Sequence, residues 1–252
     1  MASVIWTYDG WIAVSMIAGE VVAPERLMKR VTIVGMLVIV ALYVLANLAY
    51  FYMMPLDVMA QQKAAIARTV MTTVAGPAGG TVILLCIMCS VFGALNANVL
   101  AKPRVAFAMA RDGLTFSWLG LAHRRFATPW VAILVQGGAA IVMVLTLRDF
   151  DTLTTYFVVV EWAALLVSVA AVFVLRRTMA DVPRPFSTPG YPIVPLIFIV
   201  GTMVGLSAIV WGECVNGNYT PMYGLAIAAA GFPVYQIWKR LVPPSPKPAE
   251  VI

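Results

Sequence analysis

Two long stretches of this chain contain no charged residue at all, and they restrict its possible folds more than any other feature. They are residues 31–54 and 80–101. An apolar helix of about 20 residues is long enough to cross the hydrocarbon core of a bilayer. Five further stretches qualify or nearly qualify, and these are residues 2–22, 129–147, 152–175, 192–212 and 221–238. The sequence therefore predicts an all-α integral membrane protein with about seven transmembrane helices.

The composition excludes a soluble domain of this length. Hydrophobic residues make up 62% of the 252 residues and charged residues only 11%, against about 25% in ordinary soluble domains. Lipid offers no partner to open backbone groups, so helices are expected rather than open sheets. Cys86 and Cys89 form a C-x-x-C pattern inside an apolar helix, and we interpret them as packing residues. We predict no cofactor and no metal.

The basic residues are distributed unequally among the loops, and this predicts the orientation. Cytoplasmic loops of membrane proteins are enriched in Lys and Arg. With residue 1 outside, fourteen of the seventeen Lys and Arg residues lie on the inner face, and only Lys63, Arg68 and Arg148 lie outside. Residues 1–240 are then one transmembrane domain, and residues 241–252 are a disordered cytoplasmic tail. Because the net charge of +6 follows from topology, we expect no nucleic-acid partner.

Two connections have features of their own. The outer connection, residues 55–78, contains DVMAQQKAAIARTVMTTV, which is expected to form a short amphipathic helix on the outer face. At the inner end of the first segment, Glu20 and Glu25 lie close in sequence to Arg26 and Arg30. We expect these residues to form exposed ion pairs, which contribute little to stability.

The first apolar segment is interrupted by a turn signature, Tyr-Asp-Gly at residues 8–10. Gly10 permits backbone angles that end a helix. Asp9 either caps the half-helix that follows or reaches the outer interface beside a simple kink. Carriers use interrupted membrane helices to offer backbone groups to substrates and ions. The helix is therefore predicted to be broken between Thr7 and Trp11.

Five motifs follow one another along the chain, namely WTYDGW with GEVVAPERLMKR, FGALNANVLAKPRVAFAMARDGL, FATPWVAI, VEWAALLVSVAAVFVLRR and PRPFSTPGYPIVP. In this order and spacing they resemble amino acid permeases of the amino acid–polyamine–organocation superfamily, most closely the L-type amino acid transporter group. The resemblance implies helices six to twelve of a twelve-helix fold. It is thus a partial five-plus-five inverted-repeat transporter fold, with the second repeat and two C-terminal helices.

The resemblance also implies the site residues. The substrate-binding residues are Trp6, Thr7, Tyr8, Asp9, Gly10 and Asn96. The backbone carbonyls around Trp6 to Asp9 would face the substrate amino group, and Trp6 would gate the site. Ser90 and Glu161 are candidates for ion binding or gating, and for Glu161 a structural pairing is an equal alternative.

Asn96 and Asn98 lie two residues apart on one apolar helix and therefore point to different faces. One is expected to bond a neighbouring helix, and the other to touch the substrate or ion cavity.

The resemblance implies a secondary amino acid transporter of the cell membrane that works by alternating access, with antiporters among its relatives. Its partners are the amino acid substrate, the lipid bilayer and a missing N-terminal half, which in the family holds the substrate carboxylate. One alternative is a membrane-embedded enzyme, which a single His in a loop disfavours. Another is a non-transporting membrane fragment or partner subunit. We expect no enzymatic activity, and no transport by this chain alone.

Overall fold

The structure is a computed structural model that describes residues 2–62, 65–184 and 188–241, so Lys63 and the predicted tail beyond residue 241 lie outside it. Within these ranges the chain forms ten α-helices and no strand. They are α1 Ala2–Thr7, α2 Trp11–Met16, α3 Pro24–Met53, α4 Leu56–Gln61, α5 Ile66–Ala101, α6 Pro103–Arg111, α7 Trp130–Leu147, α8 Phe150–Thr178, α9 Ile193–Val215 and α10 Thr220–Leu241. Two short 3-10 turns are Ala18–Glu20 and Ser117–Gly120.

Five of the predicted spans are helices long and apolar enough to cross a membrane. They are α3, α5 continued by α6, α7, α8 and α9. The predicted span 2–22 is divided into α1, α2 and a 3-10 turn, and a six-residue helix is only about 9 Å long. The predicted span 221–238 lies within α10, which has 22 residues but is not among the five. The all-α membrane architecture is confirmed, while spanning by the first and last segments stays a prediction.

The described chain divides into two compact units, one of residues up to Gly10 together with Val105 and beyond, and one of Trp11–Arg104. In the first unit α8 is the central helix, because α1, α7, α9 and α10 all pack against it. Val158 and Val159 of α8 are 0% exposed and form the centre of this core. Burying an aliphatic side chain of this kind stabilises the fold by roughly 1.5–3 kcal/mol.

A second, smaller cluster in the same unit joins the end of α6 to the start of α7. Ala110 of α6, Leu119 of the intervening 3-10 turn and Ala132 of α7 are all buried and packed together. The connection between these helices is thereby held against both of them.

In the second unit α2 packs against α3 and α5, and α3 packs against α5. Helix α5 is interrupted at Gly76, whose φ of 69° and ψ of −173° are not helical, and Pro77 follows it. Proline lacks an N–H and cannot continue the hydrogen-bond ladder. Of residues 57–74, which were predicted to form one outer amphipathic helix, residues 57–61 lie in α4 and residues 66–74 in the first turns of α5.

Candidate functional site

The first apolar segment is broken where the Tyr-Asp-Gly signature lies. Helix α1 ends at Thr7 and α2 begins at Trp11. Between them the chain turns through two short bonds, from the N–H of Tyr8 to Ile5 O (3.2 Å) and from the N–H of Asp9 to Trp6 O (3.1 Å). Gly10 has a φ of +114°, a conformation that residues with a Cβ rarely adopt. The predicted break is confirmed.

One carbonyl assigned to the substrate amino group already has a partner. Trp6 O accepts the N–H of Asp9. Because a carbonyl oxygen has two lone pairs, Trp6 O retains one for a further donor. The ends of two interrupted half-helices together leave further backbone groups without helical partners. The break thus presents backbone acceptors beside an acidic side chain.

The carboxylate of Asp9 is the most informative side chain at the break. Its Oδ1 atom is buried and has no hydrogen-bond partner among the described residues. The N-cap predicted for Asp9 is therefore not made by this oxygen, because a capping oxygen accepts an N–H from the first turn of its helix. Leaving a buried acceptor unsatisfied costs about 1–3 kcal/mol. Such an atom is suited to accept a hydrogen bond from a ligand.

Trp6 belongs to α1 and contacts the first turn of α8. Its ring meets that of Phe150 edge to face, with ring centroids 5.4 Å apart and planes at 90°. Asp149 caps α8 at this end, accepting the N–H of Thr152 at 2.9 Å and its hydroxyl at 2.8 Å. These two bonds lower the pKa of Asp149 below its ordinary value, and the bond from the backbone N–H of Thr152 has the larger effect. The cap thus fixes the first turn of α8, which carries Phe150. The side chain of Trp6 stays partly exposed.

Glu161 lies on α8, in the same unit as Trp6 to Gly10, and is half-buried. The next residue, Trp162, packs against the core of that unit and stacks on Phe198 of α9, with centroids 6.1 Å apart. The indole Nε1 of Trp162 is buried without a partner among the described residues. The gating or pairing role of Glu161 stays a prediction.

Ser90 and Asn96 belong to the other unit, on α5, and both are exposed. They lie six residues apart, or about 9 Å along the helix axis. Asn98 donates to Ala94 O of its own helix at 3.0 Å. For Asn98 the interhelical bond considered from the sequence is therefore replaced by a local one. Ser90 and Asn96 are not placed in the unit that holds Trp6 to Gly10.

Comparison with known proteins decides the family. The family model described as amino acid permease matches residues 1–232. The chain belongs to the amino acid permease family. It is 32% identical over 238 residues to the serine/threonine exchanger SteT of Bacillus subtilis (strain 168), covering 94% of this chain and 53% of that protein.

Mammalian members of the permease family are also similar. The large neutral amino acids transporter small subunit 2 of Homo sapiens is 30% identical over 232 residues, which are 91% of this chain and 41% of that transporter. The b(0,+)-type amino acid transporter 1 of Mus musculus is 28% identical over 210 residues, which are 83% of this chain and 42% of that protein. The chain thus spans about half the length of these relatives, which agrees with a resemblance to part of the permease fold.

Sequence reasoning missed one charged contact in this permease chain. The guanidinium of Arg104, at the start of α6, grips Glu20 with two bonds, Nε to Oε1 at 2.7 Å and Nη2 to Oε2 at 2.8 Å. The expected partners of Glu20 were Arg26 and Arg30, so that expectation was wrong for Glu20. The residues of the actual pair lie 84 positions apart, and no local spacing could indicate it. The pair ties the 3-10 turn after α2 to the start of α6.

Proposed function

We propose that this chain is the C-terminal portion of a secondary amino acid transporter that works by alternating access and needs further N-terminal helices to transport. The observation that carries the proposal is the break at Gly10 in a chain of the amino acid permease family. Substrate sites of inverted-repeat carriers lie at interrupted helices near the middle of the membrane. The relatives are named as transporters or exchangers of amino acids, which supports both this substrate class and exchange.

At the site, the substrate ammonium is bound by backbone carbonyls of the break and by Oδ1 of Asp9. The ammonium group has donors only, and the buried oxygen of Asp9 is an acceptor without a partner among the described residues. Their pairing satisfies both groups, and a hydrogen bond to a charged group contributes about 1.5–3 kcal/mol. Trp6, whose ring is held by its contact with Phe150, gates the site. Asn96 remains a candidate for substrate contact, and Ser90 and Glu161 remain candidates for ion binding or gating.

The chain alone is expected not to transport. The turn that holds the substrate carboxylate in the family lies outside helices six to twelve. A carboxylate left without partners near apolar groups costs several kcal/mol. In this proposal the protein lies in the cell membrane with its C-terminus in the cytoplasm. It is a carrier and not an enzyme. The second candidate function is that of a non-transporting membrane fragment or partner subunit.

Reconstitution separates these possibilities. Uptake of labelled serine, threonine and leucine is measured in liposomes that hold the 252-residue chain alone or together with a first half taken from the serine/threonine exchanger. Saturable uptake is expected only with both parts, and Asp9→Ala should raise its KM by about 10-fold or more, the factor for losing a hydrogen bond to a charged group. The matched control, Asp57→Ala on the exposed α4, should leave KM unchanged. Saturable uptake by the chain alone would contradict the requirement for a second part, and no uptake with any first half would favour the non-transporting role.

A further inference from the structure

The end of α10 lies beside the loop that follows α6. Near its start, α10 is set against the first turns of α8, because a Cβ at Gly224 would lie 3.1 Å from Val160 and 3.3 Å from the ring of Tyr156. Near its end, the ring of Trp238 meets that of Phe116 edge to face at 4.7 Å. Helix α10 therefore packs against the first turns of α8 near its start and against the residues that follow α6 near its end.

Three aromatic rings contact one another in a row near the end of α10. Phe116 touches Trp238 and is also stacked on Trp118, with centroids 5.6 Å apart and planes inclined by 26°. Phe116 and Trp118 are nearly half exposed. Aromatic rings of this kind are enriched where the hydrocarbon core of a membrane meets the headgroups. The row of rings marks this end of the helices as an interface.

Basic residues lie next to these rings along the chain. Lys239 and Arg240 lie in the last turn of α10, and Arg111 lies in the last turn of α6. The 3-10 turn lies directly on Arg111, whose Cγ would be 3.5 Å from a Cβ at Gly120. All three basic residues are exposed, and Asp112 is the acidic residue next to them in sequence. Among these described residues, three basic side chains stand against one acidic side chain.

We propose that this surface, the basic-aromatic patch of Arg111, Phe116, Trp118, Trp238, Lys239 and Arg240, binds the headgroup of an anionic phospholipid. Basic residues beside a bilayer attract anionic headgroups with about 1 kcal/mol each. The acyl chains of the same lipid lie along the apolar side chains that α10 exposes above the patch. These include Phe232, Val234 and Ile237. A lipid satisfies both the charged and the apolar part of this surface, whereas a free anion satisfies only the charges.

The test uses the purified 252-residue chain in a neutral detergent. Its retention of phosphatidylglycerol and of phosphatidylcholine is measured by native mass spectrometry, together with the shift in Tm that each lipid causes. The chain is expected to retain phosphatidylglycerol selectively and to gain Tm from it. The double variant Lys239→Gln/Arg240→Gln should lower the affinity for phosphatidylglycerol about 30-fold, the factor for two basic residues at an anionic surface.

The matched control removes two charges elsewhere. Arg26→Gln/Arg30→Gln changes two exposed residues at the start of α3, which belongs to the other compact unit. It should keep both the retained lipid and the Tm shift. Equal losses in the two double variants would overturn the proposal, because the attraction would then be general. An equal Tm shift with inorganic phosphate would overturn the lipid as the occupant. Mass spectrometry decides the question even if the Lys239→Gln/Arg240→Gln variant unfolds at a lower temperature.

Discussion

Gly10 sets the helix break by its backbone conformation alone. No atom of the described residues lies within 4 Å of the position that a Cβ would occupy, yet the φ of Gly10 is +114°. Gly10→Ala should therefore destabilise the chain by about 1–3 kcal/mol through backbone strain, without any clash. Gly19→Ala is the matched control, because Gly19 has equal space and no positive φ. Unfolding in mixed micelles, followed by circular dichroism, measures both. Equal stability of the two variants would show that the break does not depend on Gly10.

The Glu20–Arg104 pair tests a contact that only the fold creates. The side chain of Arg104 is 14% exposed and that of Glu20 is 63% exposed, so solvent screens the pair partly. A double-mutant cycle of Glu20→Gln and Arg104→Gln should give a coupling energy of about 0.5–1 kcal/mol that falls as salt is added. Glu25→Gln in place of Glu20→Gln should show no coupling to Arg104. Coupling equal to that control would mean that the pair contributes nothing to stability.

Within α5, two glycines allow the first turns of the helix to fold against its continuation after the kink at Gly76. A Cβ at Gly79 would lie 2.6 Å from Ala75 Cβ and 2.9 Å from Met71 O, and one at Gly80 would clash with Thr72 Oγ1. Gly79→Ala should therefore destabilise the chain by about 1–3 kcal/mol, since the backbone at Met71 cannot move freely.

The same helix provides the control for this prediction. Gly93 has nothing within 4 Å of its Cβ position, so Gly93→Ala should be neutral or stabilise the helix by about 0.5–1 kcal/mol. Thermal unfolding of both variants in the same detergent measures the difference. A destabilisation by Gly93→Ala as large as that by Gly79→Ala would refute the close packing at the kink.

At the scale of the whole molecule, the orientation can be tested with the basic loops. A variant with Cys86, Cys89 and Cys214 replaced by alanine receives one new cysteine, either Arg148→Cys or Arg124→Cys. A membrane-impermeant thiol reagent added to intact cells should label Arg148→Cys only, because the excess of basic residues keeps the loop of Arg124 inside. Opening the cells should then make the second site reactive. Labelling of Arg124→Cys from outside would reverse the orientation.

The sequence by itself determined the membrane class, the places of five long apolar helices and the break. In lipid, an uncharged stretch satisfies its backbone hydrogen bonds by forming a helix. Tyr8 to Gly10 carry a local signal for a turn. The tertiary structure decided four further features. They are the Asp9 oxygen that has no partner among the described residues, the ring contact of Trp6 with Phe150, the Glu20–Arg104 pair and the fold-back at Gly79. Apolar periodicity states which face of a helix is buried, but it does not state which distant residue meets it. Such contacts depend on how the helices pack, and residues 84 positions apart carry no common pattern that would reveal them.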